Sequence, residues 1–198
     1  MQDNKARMHF FSIIMIVSED DLALAVDNVL LGLPGIESLY PCQMEVLTKL
    51  IAGENVFWTA PTNAGKTLPP VLLPSVMQEL ITLGYSFPAN PKVLFLTALN
   101  SIKLSLVSSM RSLGLKCSEI TRENAQDVLL SSTCVFFISP EVLKTASVTQ
   151  ALLKSRSEFV AKIVDEAHLG KCSICKQDLY CIPQKDVKAW IRENFLEK

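Results

Sequence analysis

The 198-residue sequence has no excess of charge of either sign: nineteen Lys and Arg balance twenty Asp and Glu, for a formal net charge of −1. This excludes the global basic field that holds DNA or RNA without regard to sequence, so any nucleic-acid contact has to be local and weak in this chain. A long apolar run is also lacking. The apolar stretch at residues 8–17 is about ten residues, against the ~20 that cross a bilayer. Lys5 and Arg7 precede it, but Ser18-Glu19-Asp20-Asp21 follows where a secretory leader carries its small-residue cleavage site. The run therefore reads as a helix or strand packed on the core. The six cysteines, at 42, 117, 134, 172, 175 and 181, form no disulfide framework, as expected of a reduced intracellular chain. Cys172 and Cys175 have ligand spacing and Cys181 is near, but no second close pair completes the four ligands of a closed zinc site. They read as incidental.

What is present centres on Val56-Phe57-Trp58-Thr59-Ala60-Pro61-Thr62-Asn63-Ala64-Gly65-Lys66-Thr67. An apolar, strand-like segment runs into a loop of small residues that ends in Gly-Lys-Thr. Such a loop points successive backbone N–H groups into a concavity at a helix N-terminus, with a lysine for the outer phosphates and a hydroxyl for Mg²⁺. Ala60 stands where the first glycine of such loops usually lies. About a hundred residues further on, the run Phe159-Val160-Ala161, then Ile163-Val164, delivers Asp165-Glu166-Ala167-His168. Nucleotide sites in open α/β sheets sit at such strand ends, one acid near the metal and the other near the attacking water. The two motifs in this order point to a nucleotide-binding ATPase core.

Between them the chain alternates strands and helices. Leu22, Ala25, Val26, Val29, Leu30 and Leu33 share one helical face, broken by Gly32, Pro34 and Gly35. A second amphipathic helix is expected over 42–52, with Leu47, Leu50 and Ile51 on its apolar side. The helix after the phosphate loop should start near Gly65, which makes Pro69 and Pro70 interior prolines that shorten or kink it. Strands are expected at 93–97, 117–120 and 133–138, and helices at 101–113, 124–130 and from Pro140 to about Lys154. This rhythm gives an α/β domain with a mostly parallel sheet covered by helices on both faces. Residues 170–198 break it. The chain divides into an N-terminal extension (1–21), a nucleotide-binding lobe (22–169) and a divergent tail (170–198).

With Gln43, the loop from Ala60 to Thr67, Ser139-Pro140-Glu141 and Asp165 to His168 in order, the sequence resembles superfamily 2 helicases. It looks most like the first RecA-like lobe of RecQ-family DNA helicases, on three details. These are Ala-Pro-Thr before Gly-Lys-Thr, the upstream Tyr40-Pro41-Cys42-Gln43, and Asp-Glu-Ala-His as the acid motif. The resemblance covers roughly residues 22–168. It implies a RecA-like P-loop fold, ATP and Mg²⁺ as cofactors, and single-stranded or partly duplex DNA as partner, bound weakly by this chain. It further implies a nuclear location, no membrane, and a second helicase lobe or the full-length helicase as a possible associate. Gln43 would read the adenine edge. Thr62, Asn63, Ala64, Gly65 and Lys66 would hold the phosphates, and Thr67 and Asp165 would position Mg²⁺. Lys66, Asp165 and Glu166 would carry the chemistry, Glu166 on the attacking water. His168 would couple the nucleotide site to the nucleic-acid face, touched through Thr97, Ser139, Pro140 and Glu141.

The departures point the other way. Tyr40 replaces an arginine usual in the family, and Asn63-Ala64 replaces a Gly-Gly or Gly-Ser pair, stiffening the loop. After His168 the aromatic-rich loop, the Ser-Ala-Thr-type motif and the second lobe with its arginines do not follow. Unwinding by this chain alone is not expected, and an alternative is a non-catalytic module, derived from a helicase, that binds nucleic acid or a partner.

Overall fold

The computed structural model describes residues 17–59, 64–97 and 100–164. The expected extension strand or helix at 8–17, the acid motif from Asp165 to His168 and the whole tail fall outside them, apart from Val17. The chain divides into two compact units, up to Ala89 and from Asn90, both cutting into what the sequence reads as one lobe.

The first unit is helical. Its opening helix α1, Glu19–Leu31, has Ser18 as N-cap, whose Oγ accepts from the Asp21 amide at 3.1 Å. Three acids fill the first turn, where the helix dipole favours them. Leu22, Ala25, Val26 and Leu30 are buried as the 3.6-residue period requires. Pro41 occupies the first position of α2, Pro41–Ile51, where its fixed φ and missing N–H suit a helix start. Both helices pack on α3, Leu68–Thr82.

Helix α3 differs from expectation at its start. It begins at Leu68, three residues later than the sequence suggests, so Pro69 and Pro70 fall in the first turn, where no intrahelical N–H bond is lost. The proline inside the helix is Pro74, which sequence reading passed over. Residues 69–74 are buried without interruption, so α3 is covered round its circumference. The helix ends at Gly84, where φ of +96° lets the Gly84 and Tyr85 amides turn back onto Ile81 and Leu80 carbonyls. This turn aims Tyr85 at the start of α1. Its hydroxyl donates to Asp21 Oδ2 at 2.7 Å and accepts from the Ser18 amide at 3.1 Å.

The strand expected at Val56–Trp58 does not form. Residues 54–59 join no ladder among the described residues, and Phe57 is 68% exposed. An apolar triplet has strand propensity, but a strand exists only where a neighbour takes its N–H and C=O groups.

The second unit holds a parallel sheet in the order β2-β3-β1-β4, with β1 Lys92–Leu96, β2 Cys117–Glu119, β3 Val135–Ile138 and β4 Phe159–Val164. All residues of β1 and β3 are buried, the reason residues 93–96 and 135–138 are continuous apolar runs. Side chains alternate between the faces. Leu94, Leu96, Phe136 and Ile138 pack with α5 (Ala125–Leu130) and α7 (Ala146–Lys154) through Ala125, Leu129, Val148 and Ala151. On the opposite face Phe95 stacks on Phe137 at 4.9 Å between ring centroids. There Cys117, in register with Val135, donates its thiol to the Val107 carbonyl of α4, Asn100–Ser112. Lys103 of α4 pairs with Glu119 at 2.5 Å. Right-handed crossovers running in opposite directions along the sheet require this placement of α4 against α5 and α7. The expected α/β architecture, with helices on both faces, is present in this unit.

The single helix expected from Pro140 to Lys154 is two. Helix α6, Pro140–Leu143, stops, Thr145 turns extended at ψ 123°, and α7 starts afresh. Thr149 stabilises the break, its hydroxyl donating to the orphaned Leu143 carbonyl at 2.7 Å. Lys92, at the head of β1, is 4% exposed and donates to the Leu129 carbonyl at 2.6 Å and to Glu158 Oε2 at 2.7 Å. Strand β4 borders only β1 among the described residues. Its apolar residues are half-buried and Lys162 is exposed.

Candidate functional site: the phosphate loop and the strand ends

The phosphate-loop motif enters the described structure at Ala64; Thr62 and Asn63 lie outside it. Gly65 is exposed with φ of +67°, a left-handed conformation that an L side chain adopts only under strain. Lys66 and Thr67 are half-buried, and the chain passes directly into α3. Thr67 is the N-cap of that helix, but its side chain makes no capping bond, so the hydroxyl is not committed to the helix. The Leu68 amide donates to the Gly65 carbonyl at 3.0 Å. Pro69 and Pro70 have no N–H. The helix N-terminus therefore keeps its dipole but presents fewer donors than an ordinary first turn. An anion here depends on the Lys66 ammonium and on the loop amides.

Gln43 belongs to the same place. The helicase resemblance makes it a reader of the adenine edge; the structure buries it to 2% exposure. Its Oε1 accepts from the Tyr40 amide at 2.9 Å, half of a capping box that holds the first turn of α2. Its Nε2 donates to the Ala64 carbonyl at 3.2 Å and more weakly to that of Gly65 at 3.4 Å. The signal for this role was in the sequence: a glutamine three residues after the residue preceding a proline-started helix.

In the second unit the C-terminal ends of β1, β3 and β4 lie at one edge of the sheet. Leu96 is in register with Ile138 and with Val164, the residue before Asp165. Thr97 and Ser139 extend β1 and β3 there, with the Thr97 amide donating to the Ile138 carbonyl at 3.0 Å. Both are buried, at 1% and 4%. Ser139 caps α6 through its backbone position without a side-chain bond, Pro140 follows at the first helical position, and Glu141 is exposed. Of these four, the one that faces solvent fully is an acid, which repels a phosphate backbone. Asp165, Glu166 and His168 are outside the described residues. Among those residues no cluster of three His, Cys, Asp or Glu could hold a metal.

No protein-family model matches the chain, and comparison with curated proteins finds no significant match.

Proposed function

We propose that the chain is the ATP-binding lobe of a RecQ-like superfamily 2 DNA helicase, which binds Mg-ATP and, weakly, single-stranded DNA. The observation that carries this reading is the contact between Gln43 and the carbonyls of Ala64 and Gly65. It joins two motifs, about twenty residues apart in sequence, that the helicase resemblance requires to be neighbours. The left-handed Gly65 and the uncommitted Thr67 hydroxyl fit a triphosphate with its metal.

In this reading Lys66 would neutralise the outer phosphates, and the resemblance assigns to Thr67 and Asp165 the holding of Mg²⁺, which would draw charge from the phosphoryl oxygens. Glu166 would orient or deprotonate the attacking water. In the family that the resemblance names, an arginine from a second lobe completes the site, a group worth several orders of magnitude in related enzymes. The test is Mg²⁺-dependent binding of a fluorescent ATP analogue. Lys66→Ala should weaken it by about tenfold or more; equal binding by both proteins, or none by either, removes the reading.

A second reading is favoured by one observation. Pro69 and Pro70 subtract two N–H groups from the helix N-terminus that faces the anion. A non-catalytic module that binds a partner or nucleic acid tolerates that loss, and absence of nucleotide binding is its signature.

A further inference from the structure

Gln43 is a buried carboxamide with both ends engaged by protein. The two engagements differ in consequence. The oxygen fixes the start of α2. The nitrogen fixes the exit of the phosphate loop one residue before Lys66. A glutamine that reads a base must show the ligand a donor and an acceptor side by side. Here that edge is turned onto the Tyr40 amide and the loop carbonyls, and the side chain is covered. Gly65 reinforces the contact: a Cβ there would lie 2.5 Å from Gln43 Nε2. The glycine is needed both for its positive φ and for the closeness of the amide.

We infer that Gln43 is a positioning residue, a latch that holds the phosphate loop to the head of α2. The site accordingly takes a nucleoside triphosphate by its phosphates and discriminates little between bases. The inference deepens the proposed nucleotide-binding function and rests on it for the identity of the ligand, while the latch itself stands on the contacts alone. Its physical content is preorganisation. The backbone at Ala64 and Gly65 is held before the anion arrives, so less ordering of the loop exit remains to be done on binding. Displacing the carboxamide to read a base would release the loop that holds the phosphates.

Gln43→Glu separates the two engagements in the full-length chain. A carboxylate oxygen still accepts from the Tyr40 amide, as glutamate does in an ordinary capping box. It cannot donate to the carbonyls of Ala64 and Gly65. Gly65→Ala is the second variant, crowding the unaltered amide while also straining the loop backbone at its positive φ. Two readouts are taken: amide hydrogen exchange over residues 64–68 and 41–47, and affinity for Mg-ATP, Mg-GTP and Mg-tripolyphosphate. The expected result is wild-type affinity for ATP and GTP within about threefold. Either variant should weaken both by about tenfold, leaving their ratio unchanged, with faster exchange at the loop and unchanged exchange in α2. A wild-type preference for ATP over GTP of tenfold or more, erased by Gln43→Glu, overturns the inference in favour of base reading. Unchanged loop exchange in a folded variant overturns the latch. Accelerated loop exchange with no triphosphate bound by any of the proteins sustains the latch and overturns the proposed nucleotide function.

Discussion

Single side chains carry more of this structure than their sequence neighbourhoods suggest. Asp21 accepts from the Tyr85 and Ser18 hydroxyls, and these two bonds, Tyr85 first, hold its carboxyl below the ordinary value of 3.8. A depressed carboxylate contributes stability that is present above its unfolded pKa and lost as pH falls through the folded one. Tyr85→Phe removes the larger cause. Its melting temperature should sit below wild type at neutral pH, with the gap closing as pH drops below about 3.8, in thermal melts taken across pH 2–7. A gap that is constant with pH would assign the effect to packing of the ring. Neither this triad nor the burial of Gln43 was legible in the sequence. Ser18 and Asp21 announce a helix cap by their spacing, but Tyr85 reaches them from 64 residues away through the turn at Gly84.

At the scale of elements, what was legible is what solvent exclusion writes into the sequence. Val93-Leu94-Phe95-Leu96 and Val135-Phe136-Phe137-Ile138 read as strands because both faces of a parallel sheet are covered and no position needs a polar residue. Leu22, Ala25, Val26 and Leu30 read as a helix face for the corresponding reason. The misses are all decided by partners. Val56-Phe57-Trp58 has the composition of a strand and no ladder. Pro69 and Pro70 are harmless because the helix waits until Leu68. The break before α7 depends on one hydroxyl from Thr149. Lys92 is a further case, a charge inside β1 that is tolerated because Glu158 and the Leu129 carbonyl receive it. Removing one partner of a buried pair costs more than removing the charge that needs it. With Glu158 only part-buried, Glu158→Gln should destabilise by about 1–2 kcal/mol, whereas Lys92→Met, which fills the same space, should fall within ~1 kcal/mol of wild type. Urea denaturation of the two variants checks this, and the reverse order would refute it.

At the scale of the whole molecule, the balance of charge sets the terms for any partner. A net charge of −1 releases few counterions from DNA, and the strand-end residues proposed to meet it are two buried hydroxyls, a proline and an acid. Single-stranded DNA should bind with Kd weaker than ~100 µM at about 150 mM salt, the weak limit of ordinary non-specific binding. Fluorescence anisotropy with a labelled oligonucleotide measures it; micromolar affinity would mean that this chain carries a nucleic-acid site of its own. The sequence offers the candidate site as two motifs. It could not convey that the chain divides at Ala89, between residues 64–67 and β4, because a spacing of about a hundred residues carries no information about where a chain divides.

The last strand of the sheet has a bearing on handling the protein. Phe159-Val160-Ala161-Lys162-Ile163-Val164 is a short, β-prone apolar segment with one interruption, bordered by one neighbour among the described residues. A lysine within such a segment is the usual guard against strand-by-strand growth into aggregates. Lys162 is exposed, so its ammonium stands in solvent along this strand and opposes pairing of one copy with another.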